Sequence, residues 1–257
     1  MFNAAALTYD EGESANEILK WMRGLVHEIY LKNFKGGDEL LELNAGTGID
    51  ALFLAEKEIK VFATDISDKM IGIIKGKVRG QRADRFIEAK ICSFDEINSI
   101  EKNNFDGVIS NFGGLNCINE FGKLSNDLSV KLKSGGKFIA VVMNSTCPWE
   151  ILYYSLHFDF ENVFRRLKGR GIDAALGNET VKTYYFTPSQ FADFFKPQFR
   201  VKKIYTLGLL TPPPFLIGFY KRFKLLVELF MLIDKGLMQI FPFNRIGDHF
   251  VIVFEKI

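Results

Sequence analysis

The sequence predicts a doubly wound α/β protein: a mostly parallel sheet with helices on both faces, an antiparallel last strand and an inserted helical and aromatic cap. Three observations carry that expectation. Short apolar runs alternate with segments of helical periodicity up to residue 143. Those runs are apolar at nearly every position, the pattern of parallel strands buried on both faces rather than one. A glycine-containing turn, Asn44-Ala45-Gly46-Thr47-Gly48, joins the first run directly to a helix.

Ile18, Trp21, Met22, Leu25 and Ile29 have helical spacing, with Ser14 as the expected N-cap. Lys35-Gly36-Gly37-Asp38 is a turn. Strands are expected at 39–43, 60–64, 85–91, 105–110 and 137–143, and helices near 47–58, 67–80 and 117–133. After Met143 the rhythm changes. The stretch 148–166 reads as an aromatic helix, 180–186 as a strand, and Thr187-Pro188-Ser189 as the opening of a short helix. Residues 199–207 read as a strand, 215–239 as one long amphipathic helix after three prolines, and 249–255 as the closing strand. The two late strands suit an antiparallel edge. Stretches 146–198 and 208–245 are too long for connectors and are expected to cap the ligand end of the sheet, within a single domain spanning 1–257.

Composition narrows the partners. Thirty-three basic against 31 acidic residues give a net charge of +2, with no basic stripe or tail for nucleic acid. Cys92, Cys117 and Cys147 are widely spaced and suit free thiols in a reducing, cytoplasmic setting. The apolar start at 1–6 meets Asp10, Glu11 and Glu13 at once and lacks a basic leader, so no signal peptide is expected. No apolar run is long enough to span a bilayer. His27, His157 and His249 are scattered without helix-paired carboxylates, so no metal site is expected.

The chemistry lies in the glycine turn. Such a turn brings backbone N–H groups close to a ligand where a side chain would block it. Asp65 closes the next strand, where a carboxylate can accept hydrogen bonds from both hydroxyls of a ribose. A nucleoside-type ligand is expected. Gly46-x-Gly48-x-x-Ala51 also fits a nicotinamide fingerprint, and Tyr220 and Lys224 have the Tyr-x-x-x-Lys spacing, so an NAD(P)-dependent oxidoreductase is one alternative. A non-catalytic nucleoside- or lipid-binding protein is another.

Glu42-Leu43-Asn44-Ala45-Gly46-Thr47-Gly48 resembles the first motif of the class I S-adenosylmethionine-dependent methyltransferases: an acid, an apolar residue, then Gly-x-Gly-x-Gly. Asn44 replaces the first glycine, and asparagine tolerates positive φ better than other side chains. The segments 105–112 and 132–138 are similar to the family's fourth-strand motif and its turn before the fifth strand. The resemblance implies a Rossmann-like fold and S-adenosyl-L-methionine as cofactor. It implies a loop of Asn44, Gly46, Thr47 and Gly48, with Glu42 and Gly46 near the methionyl part and Tyr9 closing over it. It further implies Asp65 on the ribose, Ile66 and Met70 against the adenine, Ser93 and Phe94 at its edge, and Asn111 facing the methyl. Asn111, Tyr154, His157 and Tyr185 are the candidates for catalysis. Methyl transfer is an in-line displacement, so positioning dominates, and a base is needed only where the acceptor has a proton to lose. The aromatic cap suggests a small, partly apolar acceptor, lipid-like ones included. The 215–239 helix, with Lys221, Arg222, Lys224, Glu228 and Lys235 around one sector, is expected either to dock on the core or to touch a membrane peripherally.

Overall fold

The computed structural model of the chain describes residues 9–169, 171–176 and 179–257, so the apolar start at 1–6 lies outside the described residues. Helices α1 (Tyr9–Ala15) and α2 (Glu17–Asn33) precede β1 (Glu39–Leu43). The cap of α2 is Asn16 rather than Ser14. The Asn16 side chain accepts the N–H groups of Ile18 and Leu19, whereas Ser14 lies inside α1 and turns its hydroxyl to the Glu11 carbonyl. Then follow α3 (Ile49–Ala55), β2 (Lys60–Asp65), α4 (Asp68–Gln81), β3 (Ile87–Ile91), β4 (Phe105–Ser110), α5 (Gly122–Lys131) and β5 (Leu132–Met143). The later half contains α6 (Pro148–Leu156), β6 (Ile172–Leu176), β7 (Glu179–Thr183), α7 (Pro188–Asp193), β8 (Phe199–Leu207), α8 (Ile217–Arg222), α9 (Lys224–Leu237) and β9 (His249–Lys256).

Seven strands form one sheet in the order β3-β2-β1-β4-β5-β9-β8. Only β9 is reversed, antiparallel to both β5 and β8. The antiparallel strand is therefore wedged inside the sheet, and β8 holds the edge. Chain order turns back between β1 and β4. The crevice outside their carboxyl ends is the switch point at which open α/β sheets bind ligands.

Three further expectations from the sequence are corrected. The helix from Pro148 stops at Leu156, because Phe158 takes a positive φ of 56° that no α-helix continues through. The 180–186 strand is β7, paired with β6 in a separate hairpin that the sequence did not suggest. The 215–239 helix is broken at Phe223, whose φ of −124° and ψ of 45° end α8 before α9 begins.

Successive strand residues point to opposite faces, so two cores form. Leu40, Val61, Ala63, Ile109, Val141 and Val253 pack with α2, α3, α4 and α9 on one face. Leu41, Leu43, Val108, Phe138, Ile252 and Phe254 pack with α5 and α7 on the other. That second core explains much of the phenylalanine content. Phe121 meets Phe191 edge-on at 5.3 Å, and Phe195 meets Phe254 at 5.1 Å, the tilted arrangements that ring quadrupoles favour. Each such ring contributes about 1.5–3 kcal/mol by burial.

The helical part of the 208–245 insertion is docked on the first face. Val227, Met231 and Met238 lie in the same cluster as Tyr205, Leu207 and Val251, and Lys235 pairs with Glu28 of α2 at 2.6 Å. The turn that precedes it meets α6, where the Trp149 indole N–H donates to the Leu210 carbonyl at 2.6 Å. Among the described residues no helix is long and apolar enough to cross a membrane.

Candidate functional site

The loop after β1 turns through three positive φ angles, 46° at Asn44, 55° at Gly46 and 78° at Gly48. Asn44 does more than tolerate its conformation. Its Nδ2 donates to the Asn111 carbonyl at 2.7 Å and its Oδ1 accepts from the Ser110 hydroxyl at 2.5 Å, clamping the loop to the end of β4. The two glycines differ. A Cβ on Gly48 would stand 2.9 Å from Ile74 of α4, so Gly48 allows close packing, whereas a Cβ on Gly46 would meet nothing within 4 Å. Gly46 faces open space.

Asp65, at the end of β2, is buried beside this loop. One carboxylate oxygen accepts the Gly46 N–H and the other the Ser67 N–H, each at 2.9 Å. Burial raises its pKa, and the backbone donors oppose the rise. Each oxygen retains a lone pair for a further donor. Next to it Ile66 is 59% exposed, an apolar side chain left open at the strand end, while Met70 is buried in α4. After β3, Ser93 caps a short 3₁₀ turn through Glu96, and the half-buried Phe94 packs on the second core.

Glu42 lies on β1 with 1% of its surface exposed, and its Oε2 has no hydrogen-bond partner among the described residues. Burial pushes its pKa well above the ordinary carboxylate value, and the charges of Asp50 and Asp65 push the same way against Arg23.

The N-terminal helices close the loop from above. Asp50 of α3 accepts from Arg23 Nη1 at 2.5 Å, from Asn111 Nδ2 at 2.7 Å and meets His27 Nε2 at 2.6 Å. Burial alone would raise its pKa, but the Arg23 guanidinium and His27 more than offset this and keep Asp50 ionised well below the usual range. Arg23 also pairs with Glu13 at 2.9 Å and lies 5.0 Å over the Phe112 ring. Thr47 donates to Asp10 at 2.6 Å, and Lys77 bridges Asp10 and the Thr47 carbonyl. Tyr9, its pKa pushed up to about 12 by burial and by Glu13, completes the wall. Together Tyr9, Arg23, Asn44, Gly46, Thr47, Asp50, Asn111 and Phe112 line a small open cavity beside the loop.

Of the four catalytic candidates, Asn111 lines this cavity and the others do not. His157 is exposed, with Nδ1 on the Tyr153 carbonyl at 2.8 Å. The rings of Tyr154 and Tyr185 face Arg165 and Arg166 at 5.2 and 4.9 Å. Those arginines hold a buried cluster at the carboxyl end of β5. Arg166 pairs with Glu150 at 2.7 Å and with Asp248 at 2.8 Å, and Asp248 holds His249 Nδ1 at 2.9 Å. The cluster reaches the cavity where the His249 ring meets Phe112 edge-on at 5.5 Å. Tyr220 and Lys224 fall on either side of the break at Phe223, so their spacing does not mark one helix face. Sequence alone gives Phe112 only as the end of the fourth-strand motif, and singles out neither Arg23 nor Asp50. Arg23 and His27 are four apart on α2 and so share a face, which is a signal. Nothing marks Asp50, 27 residues further along the chain than Arg23, as their partner.

Residues 40–136 match the model of a methyltransferase domain. Over 212 residues the chain is 28% identical to an uncharacterized protein of Methanocaldococcus jannaschii, covering 79% of this chain and 78% of that one. Among solved structures, a SAM-dependent methyltransferase of Methanosarcina mazei superposes with a TM-score of 0.55 at 18% identity, covering 89% of this chain and 97% of that one. Geranyl diphosphate C-methyltransferase of Streptomyces coelicolor, solved with Mg2+, geranyl diphosphate and S-adenosyl-L-homocysteine, gives 0.57 at 12% identity, covering 91% and 81%. The [4+2]-cyclase SpnF gives 0.59 at 13% identity, covering 90% and 79%. The domain matched at 40–136 and the sheet built around it give the chain the Rossmann-like fold of the class I methyltransferases.

Proposed function

We propose that the chain binds S-adenosyl-L-methionine at the glycine loop and methylates a small, partly apolar acceptor. The observation that carries this is the unfilled bonding capacity at the glycine loop and the strand ends beside it. Among the described residues nothing fills the space before Gly46, Asp65 keeps bonding capacity beside it, and the buried Oε2 of Glu42 has no hydrogen-bond partner. A ligand with paired hydroxyls and a cationic amino group answers all three. On this reading Asp65 takes the ribose, Ile66 and Met70 the adenine with Ser93 and Phe94 at its edge, and Tyr9, Glu42 and Gly46 the methionyl part. Asn44, Thr47 and Gly48 shape the loop. When bound, the cofactor would supply a sulfonium methyl that passes to the acceptor in line, with S-adenosyl-L-homocysteine leaving as the neutral thioether.

The chain's own contribution is positioning. Asp50 fixes the Asn111 amide, and Phe112 carries the contact onward to His249, so the wall beside the reacting atoms is polar but preorganised. Trp149, Tyr153 and Tyr184 of the 146–198 segment supply aromatic surface for the acceptor side. The fold alone does not decide the chemistry, since a [4+2]-cyclase shares it. The test incubates the protein with methyl-labelled cofactor and a cell extract, then separates label by solvent. Label in small organic-extractable products is expected. Label confined to precipitable macromolecules overturns the acceptor class, and no transfer in any extract overturns the activity.

A further inference from the structure

Among the described residues, sixteen of the twenty-two large apolar side chains most open to solvent fall within 152–167 and 215–243. Helix α9 shows the pattern most clearly. One face, with Val227, Met231 and Asp234, is buried on the body of the protein. At 3.6 residues per turn, Leu225, Leu226, Leu229, Leu232 and Ile233 fall on the opposite side in an arc of roughly 120°. Leu225 is 83% and Leu232 70% exposed, and beyond the helix end Phe241 is 76% exposed. A helix already docked by one face gains nothing in packing from a second apolar face, so a contiguous patch of this kind marks a contact surface.

The charges around it select the partner. Lys221, Arg222, Lys224 and Lys235 are exposed, against a single exposed acid, Glu228, among the described residues of 215–245. Glu228 is 3.7 Å from Lys224, and Glu28 of α2 holds Lys235, while Lys221 and Arg222 form no ion pair among the described residues. A second copy of the chain would set this basic rim against its own kind. We propose that the face docks on an anionic lipid bilayer, with α9 lying in the interfacial plane, its leucines at the acyl boundary and its basic residues at headgroup level. The face is continuous with the aromatic segment after β5, because Phe215 meets Tyr153 of α6 at 5.6 Å and Phe219 meets Trp149 at 5.3 Å.

Docking needs no cofactor, so the test is independent of methyl transfer. The full chain is mixed with sucrose-loaded vesicles of phosphatidylcholine, with or without phosphatidylglycerol, and pelleted. Binding to the anionic vesicles is expected, roughly tenfold or more above the neutral ones and falling with salt. Leu225→Glu/Leu229→Glu/Leu232→Glu alters exposed positions only and should weaken binding by roughly tenfold or more at unchanged Tm. Lys221→Glu/Arg222→Glu should lose the preference for anionic lipid. Absence of wild-type pelleting with anionic vesicles overturns the proposal, as does equal pelleting of the triple variant. So does a dimer in sedimentation equilibrium that the triple variant converts to monomer.

Discussion

Replacing Asp50 by alanine removes the acceptor shared by Arg23, His27 and Asn111. The side chains of Asp50 and Arg23 are 5% and 9% exposed, so solvent does little to replace the lost partner. Removing one member of a buried pair costs about 3–5 kcal/mol. Glu13 still holds Arg23 at 2.9 Å, which places the expected loss at the lower end, about 3 kcal/mol. Urea unfolding at neutral pH should show that loss at unchanged slope. The pH dependence adds a second readout. Asp50 is held well below the usual carboxylate range in the folded chain, so its contribution is complete above the unfolded pKa of about 4 and declines below it. The gap between wild type and Asp50→Ala should therefore be about 1 kcal/mol smaller at pH 3 than at pH 7. A loss under about 1 kcal/mol at neutral pH, where a buried pair demands several, would refute the argument.

Glu42→Gln should behave in the opposite sense. The folded state raises the Glu42 pKa, so wild-type stability from this group declines as pH rises above the ordinary carboxylate value, and the neutral amide escapes the decline. The variant should gain on wild type as pH rises above 4.5 in urea titrations, and parallel curves would show that Glu42 is not a buried acid. Asp65→Ala should weaken cofactor binding by about 1.5–3 kcal/mol in calorimetry, the contribution of hydrogen bonds to a charged group. Unchanged affinity in the folded variant would remove Asp65 from the site.

Much of the fold was legible because parallel strands announce themselves. β1 and β4 begin and end where their apolar runs do, and the Gly46–Gly48 turn and Asp65 fall at the strand ends that the pattern gives. The later half was less legible for a physical reason. At 215–239 the apolar periodicity survives the break at Phe223, because a local backbone turn leaves no trace in side-chain spacing. Ser14 has the residue type of a cap, but α1 precedes α2 without the apolar face that would reveal it: no residue of α1 is fully buried. Within the site, Asn44 was legible as a residue that accepts positive φ. Its clamp on Ser110 and Asn111 was not, since that contact spans 66 residues of sequence. The Asp50 network is likewise purely tertiary. Tyr154, His157 and Tyr185 had residue types suited to catalysis, yet the structure engages two of them with Arg165 and Arg166 and leaves His157 exposed.

The most direct test of the central claim is calorimetric titration of wild type and Gly46→Val with S-adenosyl-L-homocysteine and, separately, with NAD+. Gly46 has a φ of 55°, so a β-branched residue there is strained by about 1–2 kcal/mol and also fills the open patch. Wild type is expected to bind the adenosyl product and not NAD+, while Gly46→Val stays folded by circular dichroism and binds neither. Binding of NAD+ alone, or wild-type affinity for S-adenosyl-L-homocysteine in Gly46→Val, would contradict a cofactor site at this loop.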